Sequence, residues 1–237
     1  MNAKFLIVLF FFPFSLFGQF NINSVLPQKV KNAKLIKYSS YEVMFDTVEC
    51  TPVYSVYIIT KEEISHPIVK RSKESFKNDK SVPCVHVKYY SNSGYDKGHL
   101  TPSADMEYSQ QSMDDCFYIT NICPQIHGFN AGIWEHLEMK VRVWAEKYDS
   151  LLVISAPVLE SCVKKGNLSV PGKFYKIIYS IKQNKATAFL MDSNLSDGSI
   201  FDFQISVSKI DSLTSLNYFS ANQYLKVIGS VDSSFWK

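Results

Sequence analysis

The chain has 237 residues and a mass of 27.1 kDa, which suits one large domain or two small ones. Hydrophobic residues make up 46% of it and charged residues 20%, so the composition excludes a wholly disordered chain. The formal net charge is +3, a weak basic balance that permits a nucleic-acid partner without arguing for one.

The N-terminal segment differs in composition from the rest of the chain. One cation, Lys4, precedes an apolar run that ends near Phe17. This run is too short to span a bilayer comfortably and lacks a stop-transfer flank, so it predicts a cleaved signal peptide over residues 1–18. We therefore expect an exported protein, secreted or periplasmic, whose mature chain forms one domain over residues 19–237, without stable membrane insertion.

Predicted β-strands follow a polar, lysine-rich lead-in over residues 19–40. Each is a segment in which β-branched and aromatic residues alternate or run together. The segments are YEVMFD (41–46), VYSVYIIT (53–60), CVHVKYY (84–90), FYITNICPQ (117–125), SLLVISAPVL (150–159), KFYKIIYSI (173–181) and KATAFLMD (185–192). The polar stretch over residues 62–83 contains two prolines and is predicted to be mostly loop.

The clearest predicted helix covers residues 129–149. Its apolar residues recur at spacings of three and four and form an amphipathic stripe of Ile133, Trp134, Leu137, Val141 and Trp144. A short helix or turn is predicted over residues 105–116, and a strand followed by a helix over residues 203–219. Together these elements predict an α+β fold, with a largely antiparallel sheet and helices packed against it.

The five cysteines, at positions 50, 84, 116, 123 and 162, leave the disulfide pattern open. In an oxidising compartment we expect one or two disulfides and a buried free thiol. A zinc site made of Cys116, Cys123, His127 and His136 is disfavoured, because it lacks the closely spaced cysteine pair of ordinary structural sites.

Three residues form the strongest chemical constellation: His99, Asn130 and Glu138. His99 lies in GYDKGHLTPSADM (94–106), and the other two stand eight residues apart on the predicted helix, about 80° beyond two full turns. An amide oxygen and a carboxylate suit a hard cation such as Mg²⁺, and a histidine can act as the general base for water. Alternatively, Asn130 caps the helix, Glu138 is merely solvated and His99 is structural.

DKGHLTPSADM followed by FYITNICPQIHGFNAGIWEHLE resembles the DNA/RNA non-specific endonuclease family of ββα-metal (His-Me finger) nucleases. The matching elements are Asp96-Lys97-Gly98-His99 for the family's Asp-Arg-Gly-His, then Asn121, Pro124-Gln125, Asn130 and Trp134-Glu135-His136-Leu137-Glu138. LLVISAPVL is similar to the family's strand ending in Thr-Gly-Pro, and VPGKFYKIIY to its Pro-x-x-Tyr-Lys segment. The resemblance covers residues 54–219, most of the chain.

The resemblance implies a ββα-metal motif at the active site, with His99 as the general base that activates water. It implies that Asn130 is the one direct protein ligand of a single Mg²⁺ or Mn²⁺ ion. Glu138 would hold a water bound to that ion and help to protonate or position the leaving group. Asn121 would orient the histidine or hydrogen-bond near the phosphate.

Two cations are expected to contact phosphate. Lys97 stands where the family has arginine; it keeps the charge but loses the bidentate fork, so we expect a weaker contact. The second cation is Arg71 or Lys73, which spacing does not separate; Arg71 is favoured because a guanidinium suits a transition-state phosphate. Asp96 and Gly98 are expected to shape the turn that aims the histidine.

The activity implied is that of a metal-dependent endonuclease that hydrolyses DNA and RNA with little sequence specificity. Its partners would be nucleic-acid substrates held through backbone phosphates, because the motifs contain no identifiable base-reading element. Two alternatives stay open: a catalytically inactive nuclease-like protein that binds nucleic acid or another partner, and a phosphodiesterase acting on small nucleotides. The oligomeric state, a homodimer included, also stays open.

Overall fold

The structure is a computed structural model that describes residues 20–28, 30–71, 75–220, 227 and 229–237. The predicted signal peptide and Lys73 therefore lie outside the described residues. Within the described part of the chain, none of the helices combines the length and the apolar character that crossing a membrane requires.

The central element is a seven-stranded sheet. Its strands are β1 (Ala33–Lys37), β2 (Tyr41–Asp46), β3 (Thr51–Thr60), β6 (Ser150–Pro157), β9 (Lys173–Ser180), β10 (Lys185–Asp192) and β11 (Gln204–Ile205). They lie in the order β1-β2-β3-β6-β9-β10-β11, and each neighbouring pair is antiparallel. Two small antiparallel pairs accompany it: β4 (Asp96–His99) with β5 (Ile122–Gln125), and β7 (Val163–Lys165) with β8 (Leu168–Val170).

Helices cover both faces of this sheet. They are α1 (Lys61–Ser65), α2 (Gln110–Cys116), α3 (His127–Asn130), α4 (Ile133–Tyr148) and α5 (Val207–Thr214). The predicted apolar stripe of α4 is buried against one face, which we call the α4 face. Helix α5 buries Val207 and Ile210 in a second apolar cluster on the opposite face, the α5 face. The prediction of an α+β fold with a largely antiparallel sheet is confirmed.

One strand prediction was wrong. Residues 84–90 contain a 3-10 helix over Val87–Tyr90, because nearby side chains bind the amides that a strand would offer to a partner. Val87 N donates to Asn78 Oδ1 at 2.9 Å, and Lys88 N donates to His86 Nδ1 at 3.1 Å. The polar, lysine-rich lead-in also contributes a strand that was not predicted, since β1 pairs with β2 in the sheet.

The predicted helix over residues 129–149 is two helices. It breaks at Gly132, where a Cβ atom would lie 2.1 Å from Ser196 O and 2.2 Å from Gly128 O. Asn130 therefore ends α3, and the argument that placed it and Glu138 on one continuous helix was wrong. A tertiary contact with the Ser196 backbone, rather than helical spacing, sets their relation.

The cysteines form one disulfide, within the expected range, and leave three free thiols where one was expected. Cys50 and Cys84 form a disulfide, while Cys116 and Cys123 are buried free thiols and Cys162 is a partly buried one. The disulfide joins the start of β3 to the segment that leads towards β4.

Candidate active site

The β4–β5 pair presents the histidine. His99 ends β4 opposite Ile122, and Gly98 precedes it in the ladder. A Cβ atom on Gly98 would lie 2.0 Å from Gln125 Oε1, inside the buried Gln125 side chain. Because any larger residue would displace that side chain, glycine at this position allows the close packing that places His99.

Asn121 supports the backbone beyond the histidine. Its Oδ1 accepts from Thr101 N at 2.9 Å, and its Nδ2 donates to Thr101 O and Cys116 O, each at 2.9 Å. The residue is fully buried and does not line the cavity described below. The predicted phosphate contact therefore does not fit the geometry: these bonds hold the chain two residues after His99.

His99 lies in an aromatic setting. Its ring centroid is 5.3 Å from that of Phe76 and 5.1 Å from that of Phe117, the latter edge-on. Its Nε2 atom is buried and meets no hydrogen-bond partner among the described residues. Burial, with the nearby Arg71 charge, lowers the pKa of His99 to about 3. The imidazole is therefore neutral at neutral pH, the form that accepts a proton.

Asn130 is oriented by a carboxylate. Its Nδ2 donates to Asp96 Oδ2 at 3.0 Å, and His127 Nδ1 lies 2.8 Å from the same oxygen. A carboxylate oxygen accepts hydrogen bonds, so the amide nitrogen of Asn130 must face Asp96. This leaves the amide oxygen of Asn130 available to a cation, and it gives Asp96 a contact more specific than the predicted shaping of a turn.

Glu138 lies on α4 above the sheet, with its side chain 15% exposed. Burial raises the pKa of this carboxyl, and the Lys176 ammonium, 3.7 Å from Oε1, opposes that rise. Although α3 and α4 are separate helices, both Asn130 and Glu138 face the same cavity.

Arg142 is a site residue that the sequence reasoning did not assign. It follows Glu138 by one helical turn, lines the cavity and donates from Nη1 to Asp105 Oδ1 at 2.8 Å. The other oxygen of Asp105 accepts from Tyr57 OH at 2.6 Å. Two features of the sequence could have pointed to Arg142. It follows Glu138 by four residues, which places both on one side of a helix, and it is one of two arginines in the chain.

These elements enclose a cavity of about 260 Å³. It is lined by Arg71, Lys97, His99, Pro102, Ser103, Ala104, Asn130, Ala131, Glu135, Glu138 and Arg142. Among the described residues predicted to act in catalysis or to hold the metal, Asn121 does not line this cavity.

The two predicted phosphate contacts lie beside the rings that flank His99. Lys97 Nζ is 5.2 Å from the centroid of Phe76, and Arg71 Cζ is 5.3 Å from that of Phe117. Cation–π contacts of this kind favour a defined position for each charge. With Arg142, they give the cavity three cationic side chains beside the carboxyl groups of Glu135 and Glu138.

The donor set fits a hard cation held by few protein atoms. No group of three or more His, Cys, Asp or Glu side chains in the described residues is placed to hold a metal ion. A polar cavity lined by the amide of Asn130 and the carboxylate of Glu138 matches the few protein oxygens that Mg²⁺ takes while keeping several waters.

Comparison with known proteins gives concordant matches. The yeast (Saccharomyces cerevisiae) mitochondrial nuclease is 34% identical over 146 residues, covering 54% of this chain and 44% of the yeast protein. The mitochondrial nuclease EXOG of zebrafish (Danio rerio) is 27% identical over 221 residues, covering 83% and 64%. This chain thus spans about half to two thirds of the length of these curated relatives.

A solved structure shares the fold. The crystal structure of the EndoG/EndoGI complex superposes with a TM-score of 0.75 at 26% identity, covering 83% of this chain and 89% of that chain. Its likeness extends over the large antiparallel sheet and the packed helices.

The comparisons correct the predicted location. The yeast and zebrafish relatives, like human endonuclease G, are mitochondrial nucleases, which contradicts a secreted or periplasmic protein. An apolar N-terminal run is a local pattern and does not decide the compartment alone.

The model of the family described as DNA/RNA non-specific endonuclease matches residues 20–225. Most of the sequence lies within that match, and the chain belongs to the DNA/RNA non-specific endonuclease family.

Proposed function

We propose that this protein is a metal-dependent endonuclease that hydrolyses phosphodiester bonds in DNA and RNA with little sequence preference. The observation that carries the proposal is one cavity that joins a neutral histidine, a free amide oxygen and a carboxylate: His99, Asn130 and Glu138. Family membership and the curated nuclease relatives support the same activity.

His99 is the general base in this proposal. Its neutral imidazole takes a proton from the attacking water, and the Phe76 and Phe117 rings hold it in place. Asn121 contributes indirectly, because its hydrogen bonds fix the backbone after the histidine.

Asn130 and Glu138 would hold the divalent ion, Mg²⁺ or Mn²⁺, one per site. Asn130 would offer its amide oxygen directly, because Asp96 occupies the amide nitrogen, and Glu138 would act on the ion through water. When bound, the ion neutralises negative charge on the phosphate and the leaving oxygen.

The cations complete the phosphate site. Arg71, Lys97 and Arg142 line the cavity, and their charges attract a phosphodiester and stabilise the charge that builds up as it is attacked. Contacts of this type read the backbone and not the bases, so we expect cleavage with little sequence preference.

The test is cleavage of closed circular DNA, linear single-stranded DNA and RNA, each with Mg²⁺ and with EDTA. We expect Mg²⁺-dependent nicking of the circle, which an exonuclease cannot produce, and cutting of both polymers. Binding without cleavage would favour the inactive nucleic-acid-binding protein. Hydrolysis of bis-p-nitrophenyl phosphate with both polymers left intact would favour the small-nucleotide phosphodiesterase.

A further inference from the structure

A lysine is fully buried beneath the cavity. Lys176 lies in the middle of β9 and has no exposed surface. Phe174 and Ile178, its neighbours two residues away on the strand, pack in the apolar cluster of the α4 face. A buried ammonium is unfavourable unless partners compensate for its lost hydration. A lysine at such a core position therefore requires an explanation.

The ammonium has three partners. Its Nζ donates to Ser155 Oγ at 2.8 Å, lies 4.5 Å from the ring centroid of Trp134, and is 3.7 Å from Glu138 Oε1. Ser155 is the register partner of Lys176 on β6, so the sheet itself fixes this hydrogen bond. The carboxylate belongs to the cavity above. Lys176 thus connects the sheet to a site residue without itself lining the cavity.

Buried hydroxyl side chains continue from Ser155 across the sheet to Ser55 and Thr101, and we call these three residues the polar row. Ser155 pairs in register with Ser55 on β3, and Ser55 Oγ is 2.6 Å from Thr101 Oγ1. Thr101 is the residue whose backbone Asn121 holds, two positions after His99. The buried polar row therefore lies under both the carboxylate and the loop that follows the histidine.

Stability alone does not account for the lysine. Helix α4 is already secured by its apolar stripe, which includes Trp134, Leu137 and Val141. Replacing a buried ion pair by well-packed apolar residues is often neutral or stabilising. The core therefore does not require this pair of charges, and what the lysine adds is a fixed charge next to Glu138.

We propose that Lys176 is a positioning residue for Glu138, holding the carboxylate from beneath while Ser155 anchors the ammonium to the sheet. This inference rests on the proposed function. Lys176 touches neither the substrate nor the ion, and it acts through the placement of Glu138.

The test is a double-mutant cycle on kcat and KM, using Lys176→Met, Glu138→Gln and the double variant, with closed circular DNA and saturating Mg²⁺. We expect Lys176→Met to lower kcat about 10-fold to 100-fold while KM for DNA changes less than about 3-fold, because misplacing a reacting group mainly slows turnover. In the Glu138→Gln background the same change should cause no further loss. Lys173→Met, an exposed lysine on the same strand, is the matched control and should keep wild-type kcat.

An equal fractional loss in both backgrounds, or an unchanged kcat in Lys176→Met, would overturn the inference. If Lys176→Met does not fold, Ser155→Ala takes its place. A lower kcat in the wild-type background, with no further loss of kcat in the Glu138→Gln background, would support the inference. A wild-type kcat in Ser155→Ala would overturn it. An inactive wild-type protein would overturn the proposed function and this inference together. An active wild type with a normal Lys176→Met would overturn this inference alone.

Discussion

The two faces of the central sheet are built from the same strands but carry different chemistry. On β9, Tyr175 and Ile177 face α5 and pack in an apolar cluster, where the Tyr175 hydroxyl lies 2.9 Å from that of Tyr218. The residue between them, Lys176, faces α4 and lies beneath the cavity, 3.7 Å from Glu138 Oε1. Because side chains alternate along a strand, one sheet can support a core on one side and a charged site on the other. We expect changes on the α5 face to alter stability and changes at the cavity to alter rate.

The largest effect should come from His99→Ala. Removing the base should lower cleavage of closed circular DNA by about 10²-fold to 10⁴-fold while the protein stays folded, because general base catalysis typically contributes that much. The rate and the circular dichroism spectrum measure the two outcomes. His66→Ala, a change at an exposed histidine, is the control and should keep the wild-type rate. Retained activity in His99→Ala would remove this residue as the base.

Arg142→Lys should reduce kcat about 10-fold. A lysine keeps the charge but cannot reproduce the planar fork that bonds Asp105 and faces the cavity. Steady-state kinetics with Mg²⁺ measure the change, and the thermal unfolding midpoint reports any loss of the bond to Asp105. Unchanged kcat would show that the charge alone is needed there.

The pH dependence of stability should identify the buried imidazole. The pKa of His99 is about 3 in the folded protein, below the ordinary value of about 6.5. Between these values the unfolded chain binds more protons, so the free energy of unfolding should fall as pH drops from about 6.5 towards 3. Urea denaturation of wild type and His99→Gln at several pH values compares the slopes. The variant should lose less stability, and equal slopes would contradict the neutral, buried state.

Tyr175→Phe tests the opposite face. It removes a buried hydroxyl that lies 2.9 Å from Tyr218 OH, so the free energy of unfolding should fall by about 1 kcal/mol while kcat stays unchanged. Urea denaturation and steady-state kinetics measure the two quantities. A drop in kcat without loss of stability would contradict the claim that the α5 face serves stability and the cavity serves catalysis.

Lys97→Arg should give the smallest effect, a gain of a few-fold in kcat/KM. The guanidinium would restore a bidentate phosphate contact that the lysine cannot make. Initial rates of each enzyme, assayed separately at DNA concentrations below KM, give the two kcat/KM values and their ratio. No change, or a loss, would refute the view that lysine makes the weaker contact.

Most elements of the fold could be predicted from local patterns. The alternating segment over residues 41–46 is β2, and the spacing of apolar residues such as Trp134 and Trp144 marked the buried side of α4. These patterns succeed because burial of one face acts on every second or every third to fourth residue. The tight approach at Gly132 could not be predicted, since it depends on the backbone of Ser196, far along the chain.

The candidate site was also predicted only in part from the sequence. His99 and Asn130 were predicted from motif residues that resemble a family, but the contact that orients Asn130, with Asp96, depends on how α3 packs against β4. Lys176 lay within a predicted strand, yet the pattern did not reveal that its charge faces inward beneath Glu138. Side-chain partners across distant strands follow from tertiary packing, which a single sequence does not display.

The most direct test of the central claim is the Mg²⁺ concentration dependence of closed circular DNA cleavage by wild type and Asn130→Ala, with Asn23→Ala as an exposed control. The account predicts saturable Mg²⁺ activation for wild type and the control, and activation in Asn130→Ala that is lost or needs at least about tenfold more Mg²⁺. Identical Mg²⁺ curves for wild type and Asn130→Ala would contradict the assignment of this cavity as the metal-dependent catalytic site.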